Sequence, residues 1–171
     1  LLMGYAVIRR ALLELDRRAD VTAFVQPLAA RSPANCWHAV LALCADPDQA
    51  PSLLDVAREI RVGDDSFGAF AALAAEVAVR TGDAELGAWC LPHLEARGDR
   101  TVVIGLGTLV LGFARHFAGL ARRATGDLAG ARRDFEAAAQ LATHNGAHLW
   151  HGHASVELAD VDAQLQRVGG D

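Results

Sequence analysis

The chain has 171 residues, 52% of them hydrophobic but only 6% aromatic, and a formal charge of −5. That length allows one ordinary core, built mostly from alanine and leucine, both strong helix formers. The acidic balance argues against a nucleic-acid reader, which shows a basic face. All 16 basic residues are arginine, and the lack of lysine excludes a phosphate-binding loop or a Schiff-base nucleophile within this chain.

Start and stop signals divide the chain into short helices. The first apolar stretch, from Leu1, already has helical spacing. Arg9 and Arg10 follow that stretch instead of preceding it, the reverse of a signal peptide. The abrupt start suggests a piece of something longer. Asp20 is placed to cap a helix from Val21, and Ser32-Pro33 reads as a cap followed by proline at the first helical position. Asp46-Pro47-Asp48-Gln49 repeats that logic, with Gln49 completing a capping box. Ser66, Asp83 and Asp127 are further caps, and Asn145-Gly146 is a helix stop. These signals predict helical hairpins at 2–18 with 21–31, 33–45 with 47–60, 67–81 with 84–97 and 111–125 with 128–143, then a final helix at 147–167. Thr101–Val110, TVVIGLGTLV, is the one stretch of strand-like composition and reads as an inserted ordered loop over 98–110, with one extended piece. Residues 168–171 read as a disordered tail.

Three apolar stripes have helical period: Phe113, Phe117, Leu120 and Ala124; Leu128, Ala131, Phe135 and Ala138; Trp150, Ala154, Leu158, Val161 and Leu165. The turn Thr81-Gly82-Asp83-Ala84 returns as Thr125-Gly126-Asp127-Leu128, with weaker echoes at Ala45–Asp48 and Arg18–Val21. Recurring helix–turn–helix units predict an all-α solenoid. The expected architecture is a right-handed α-solenoid of about four hairpins plus a C-terminal capping helix, one domain over 1–167.

Residues 112–139 resemble the tetratricopeptide repeat, through Gly119, Gly126, Ala131, Phe135 and Ala138. The resemblance implies that Gly119 and Ala131 let two helices touch, Gly126 makes the turn and Phe135 fills the gap to the next hairpin. The match departs at Arg115, where a large aromatic is usual, and at Thr143, where proline is usual. The unit 68–95 keeps Gly82 and has Gly87 in place of alanine. A second resemblance spans most of the chain. Val102-Val103 with Gly105 and Gly107, then Gly126 to Ala139, then Gly146-Ala147 and Trp150 are similar in order to the C-terminal region of large bacterial ATP-binding regulators. These include LuxR-type transcriptional regulators and proteins with an adenylate-cyclase-like domain. This implies a helical-repeat sensor or scaffold carried behind an ATPase.

No constellation points to chemistry. His144, His148, His151 and His153 cluster, but Asn145-Gly146 interrupts the helix among them and no Cys joins them, so no metal is expected. Gly105-Leu106-Gly107 lacks the third glycine and the strand–turn–helix frame of a dinucleotide loop. Ser155, His151, Asp160 and Asp162 on one helix cannot converge as a triad. Cys36 and His38 point to different helix faces. Cys36, Cys44 and Cys90 are odd in number and without a CxxC, which fits a reducing cytoplasm. No run approaches the ~18 apolar residues that span a bilayer.

The reading is therefore a non-catalytic binding or scaffold module without cofactor. Its partner would be a protein or peptide, acidic or C-terminal, or the flanking ATPase domain, with neither nucleic acid nor membrane. In the tetratricopeptide geometry the first helix of each hairpin lines a concave groove. That assigns Glu76, Arg80, Phe113, His116, Leu120 and Arg123 to the binding face, with Arg9, Leu13 and Asn35 in poorer register. Reversing Arg80 and Arg123 is then expected to spare stability. The alternative is a small-molecule sensor, with an inducer in that groove or beside the 101–110 loop.

Overall fold

The computed structural model describes residues 17–31, 36–58, 67–104 and 109–169. In chain order they form α1 (Arg18–Ala29), α2 (Cys36–Cys44), α3 (Ala50–Arg58), α4 (Phe67–Thr81) and α5 (Ala84–Glu95). Then come β1 (Thr101–Ile104), β2 (Leu109–Phe113), α6 (Ala114–Ala124), α7 (Leu128–His144) and α8 (His148–Gly169). The described part is mostly helical, as composition and periodicity require. The expected first helix and the caps at Ser32 and Ser66 lie outside the described residues.

Two joints are built identically. Gly82 and Gly126 have φ +70° and +83°, a region where only glycine is unstrained. The following N–H then reaches back five residues, Asp83 to the Ala78 carbonyl (3.0 Å) and Asp127 to that of Arg122 (3.0 Å). This satisfies an orphan carbonyl of the ending helix. The same aspartate turns forward: Asp83 accepts from the Leu86 N–H and Asp127 from that of Gly130, each at 2.9 Å. One Gly-Asp pair therefore closes one helix and opens the next, so the sequence echo is a true structural repeat. Asn145-Gly146 stops α7 by the same backbone turn, the Ala147 N–H reaching the Ala142 carbonyl at 2.8 Å.

Asp20 is not a cap. α1 begins two residues earlier, and Asp20 sits in its first turn, accepting from Arg17 Nε at 2.6 Å. α3 begins at Ala50, later than expected, because Pro47–Gln49 form a turn on the Asp46 carbonyl.

α4 is buried along almost its whole length, an alanine-rich rod with Phe67, Phe70, Leu73 and Val77 among its buried side chains. A helix apolar all round needs neighbours on every side, and α4 has them in α2, α5, α6 and β1. α6 in turn packs on α4, α5 and α7, and α7 on α6 and α8. Small residues set these approaches. A Cβ at Gly119 would lie 2.6 Å from the Phe135 ring, and one at Gly87 would lie 2.8 Å from the Ala121 carbonyl of α6. Phe135 and Ala131 are fully buried.

The 98–110 segment differs from expectation. Residues 101–104 and 109–113 pair as a two-stranded antiparallel sheet, whereas 105–108, with Gly105 and Gly107, lie outside the described residues; β2 extends to Phe113, so α6 starts at Ala114 instead of residue 111. The register slips between Val102 and Val103, leaving Leu111 as the extra residue of a bulge beside Gly112, whose φ is +150°. The bulge turns Leu111 inward with Val102, and both are fully buried. The hairpin thereby adds to the core; β1 contacts α4, and β2 contacts α6 and α7. Residues 168 and 169 of the expected tail belong to α8, which continues to Gly169, and residues 170 and 171 lie outside the described residues.

Candidate functional site

The first helices of successive hairpins, α2, α4 and α6, contact one another, and α8 is tied to α6. This brings Glu76 of α4, Arg123 of α6 and Glu157 of α8 into one electrostatic cluster. Arg123 Nη1 donates to Glu157 Oε2, and Arg123 Nη2 lies 3.7 Å from Asp160. Burial pushes the Glu157 carboxyl above the usual glutamate range, against the opposing pull of Arg123; Asp160 and Glu76 push the same way as burial. Two carboxylates, Glu157 and Asp160, thus share one guanidinium, and the charge of Glu76 acts on Glu157.

The other assigned residues have different settings. Arg80 is turned into the fold: its Nη2 donates to the Ala42 and Ala45 carbonyls, at 2.6 and 2.7 Å, closing the C-terminal end of α2. Its charge serves the last orphan carbonyls of a helix, where a cation is favoured. Leu120 and Phe113 are buried, 4% and 6% exposed, and Phe113 belongs to β2. His116 is half-buried and packs against Phe117, Phe135 and His153. Glu76, Arg123 and Glu157 therefore come together, whereas Phe113 and Leu120 lie within the core. The expectation that Arg80 and Arg123 can be reversed without thermal cost conflicts with the contacts both make. Arg9, Leu13 and Asn35 lie outside the described residues.

Glu157 and the role of Asp160 were missed in the sequence. The available signal was position: Glu157 flanks the inner stripe of Trp150, Ala154, Leu158, Val161 and Leu165, where a carboxylate meets the neighbouring helix.

A second ionic cluster is structural. Asp134 is buried, 5% exposed, and accepts from Arg115 Nη1 at 3.0 Å and Arg122 Nε at 2.9 Å. Arg115 continues to Asp99 (2.8 Å), and Arg122 to Asp127 (2.9 Å) and Glu95. This chain joins α5, α6 and α7, and it gives a physical reason for arginine at 115 where the repeat usually has an aromatic.

A cleft of ≈ 280 Å³ lies beside the base of the β-hairpin, lined by Phe67, His93, Ala96, Arg97 and Arg100. His93 packs edge-on to Phe67 (4.9 Å between centroids) and against Trp89 (5.0 Å). Arg100 is engaged by the Arg97 and Ala96 carbonyls, at 3.0 and 2.8 Å.

Ser155 donates to the His151 carbonyl at 2.8 Å, a local bond within the helix and not an activated nucleophile. His153 packs on Trp150 and His116, while His144, His148 and His151 are exposed. Among the described residues no three metal-ligating side chains converge, and no helix is long and apolar enough to cross a membrane. Comparison of the chain with protein-family models, with curated proteins and with solved structures finds no match, so the functional reading rests on this geometry and on the sequence resemblance alone.

Proposed function

We propose that this chain is a non-catalytic binding module, a right-handed tetratricopeptide-like α-solenoid that acts through the edges of its first helices. We further propose that it is the C-terminal sensor or interdomain-regulatory part of a bacterial, cytoplasmic ATPase-containing regulator. The observation that carries the binding reading is the row Glu76–Arg123–Glu157–Asp160, which runs across three successive first helices. Support for the repeat reading comes from the duplicated Gly-Asp joints and from the contact of Gly119 with Phe135. Glu157 and Asp160 set two carboxylates against the one guanidinium of Arg123, so the row suits a cationic partner segment better than an acidic one. Charge arranged on a surface in this way steers and selects partners. The partner is a basic peptide segment, either of another protein or of the flanking ATPase domain.

The test is a titration of the chain with arginine-rich and glutamate-rich peptides of equal length, followed by calorimetry. The basic series binds and weakens as salt rises, and Glu76→Gln with Asp160→Asn reduces its affinity while the melting temperature stays within a few degrees. Equal binding of both series, or an unchanged affinity in the folded double variant, refutes the assignment. A second reading, a small-molecule effector, is favoured by the cleft at Phe67, His93 and Arg97. Thermal shifts with carboxylated aromatic compounds, abolished by Arg97→Ala, would support it.

A further inference from the structure

The cleft beside the β-hairpin gathers basic side chains in a chain whose formal charge is −5. Arg97, Arg100 and His93 line it, and no carboxylate does. The acidic residues nearest in the chain are engaged elsewhere, Glu95 by Arg122 and Asp99 by Arg115. Arg100 is engaged as well, by the last carbonyls of α5. Arg97 is different. Among the described residues no hydrogen bond or ion pair holds its guanidinium. The group lies over Gly68, a buried residue in the first turn of α4. A Cβ at Gly68 would sit closer to Cζ, Nε and Nη2 of Arg97 than a side chain can approach. The bare backbone at residue 68 is therefore what lets Arg97 reach from the end of α5 across the start of α4.

We propose that Gly68 and Arg97 form the anion subsite of this cleft, and that its ligand is a small planar aromatic carboxylate. A half-buried charge without a partner is costly, and an anionic ligand offsets that cost. A guanidinium is a planar fork that meets a carboxylate in two parallel hydrogen bonds. A cleft lined by one sign of charge also draws the opposite sign inward. The ring half of the ligand follows from the opposite wall. Phe67 and His93 stand at 89° to one another with centroids 4.9 Å apart, so their rings make a right-angled corner. A flat ring can lie on one face of that corner and meet the edge of the other, the two arrangements that aromatic pairs prefer. The volume, ≈ 280 Å³, is at the small end of ligand pockets, which start at roughly 300 Å³, and suits one substituted ring. Gly68 touches no ligand in this arrangement; it positions Arg97.

This assignment rests on the small-molecule reading of the cleft and is tested by titrating the full chain with benzoate while recording amide NMR spectra. Benzoate binds with a Kd of about 1 mM and moves the amides of residues 67–70 and 93–100. Benzamide, cyclohexanecarboxylate and inorganic phosphate bind several-fold more weakly. Arg97→Gln weakens benzoate about tenfold. Gly68→Ala does the same by displacing the guanidinium, while the melting temperature holds or rises, because alanine is the better helix former. In the Arg97→Gln background Gly68→Ala causes no further loss, the mark of two residues acting as one. Arg133→Gln, at an exposed arginine of α7, leaves affinity unchanged. Should Gly68→Ala not fold, Arg97→Gln alone decides. Equal binding of benzamide, cyclohexanecarboxylate or phosphate overturns the ligand class. Unchanged benzoate affinity in folded Arg97→Gln or Gly68→Ala overturns the subsite. In both cases shifts that stay at 67–70 and 93–100 leave the small-molecule reading standing. No shift with any of these compounds up to about 10 mM overturns both.

Discussion

Replacing Gly119 with alanine isolates the interlock between α6 and α7. In an open helix the change stabilises by about 1 kcal/mol, because alanine is the better helix former. At Gly119, however, the new Cβ would lie 2.6, 2.8 and 2.9 Å from three carbons of the Phe135 ring. Carbon contacts are most favourable at about 3.5–4.0 Å, so the ring or the helix must move by up to about 1 Å. Phe135 is fully buried and has no solvent to move into. Overpacking of this kind costs about 1–3 kcal/mol, which leaves a net loss of about 0–2 kcal/mol after the propensity gain. Gly152→Ala on α8 meets nothing within 4 Å and receives the propensity gain alone. The two variants should differ by about 1–3 kcal/mol, or roughly 3–10 °C in a chain of this size. The assay is urea denaturation followed by circular dichroism. Phe135→Leu adds a control. It weakens the wild type by losing ring contacts, yet in the Gly119→Ala background its penalty shrinks, a positive coupling between neighbours. Equal stabilisation by Gly119→Ala and Gly152→Ala, with no coupling to position 135, would show that the ring does not rest on the glycine.

Ala131→Leu should lower the denaturation midpoint by about 1–3 kcal/mol, because Ala131 is fully buried, whereas Ala129→Leu, at an exposed position, should be nearly neutral; matching losses would place the α7 register elsewhere. Arg80→Met keeps much of the side-chain bulk but removes both bonds to the end of α2. It should cost about 1–3 kcal/mol in the same assay, and an unchanged midpoint would mean that water replaces the guanidinium without loss. Two carboxylates should give opposite pH signatures. Glu157 has a raised folded pKa, so the native state holds its proton more tightly than the unfolded chain. Wild type therefore loses stability relative to Glu157→Gln as pH rises above about 4.3. Asp127 is held low by the Gly130 N–H and by Arg122. Its advantage over Asp127→Asn is present above about pH 3.9 and fades as pH falls below it. Paired urea titrations at successive pH values read both trends, and a reversal of either sign contradicts the assigned environment.

The sequence by itself determined the local features of this protein. Gly82-Asp83 and Gly126-Asp127 were legible as joints because their chemistry is short-range: a left-handed glycine and a carboxylate three residues from the N–H it accepts. The stripe through Leu128, Ala131, Phe135 and Ala138 was legible because helical period alone puts those residues on one face. The repeat resemblance marked Gly119 and Phe135 as packing positions but set Phe135 toward the next hairpin; that its ring rests on Gly119 of its own hairpin appears only in the assembled helices. What the tertiary structure decided is where polar side chains spend their charge. Nothing local to Arg80 reveals that α2 ends within reach, and nothing local to Arg123 reveals Glu157, thirty-four residues on. The β-hairpin was hidden for a similar reason. Its strand-like composition was visible, but the Val102–Gly112 pairing and the bulge at Leu111 exist only once β1, β2 and the helices beneath them are assembled. Helix ends and apolar faces are set by neighbours in the chain. The partner of an arginine is set by packing, because a long side chain reaches whichever carbonyl or carboxylate the fold brings to it.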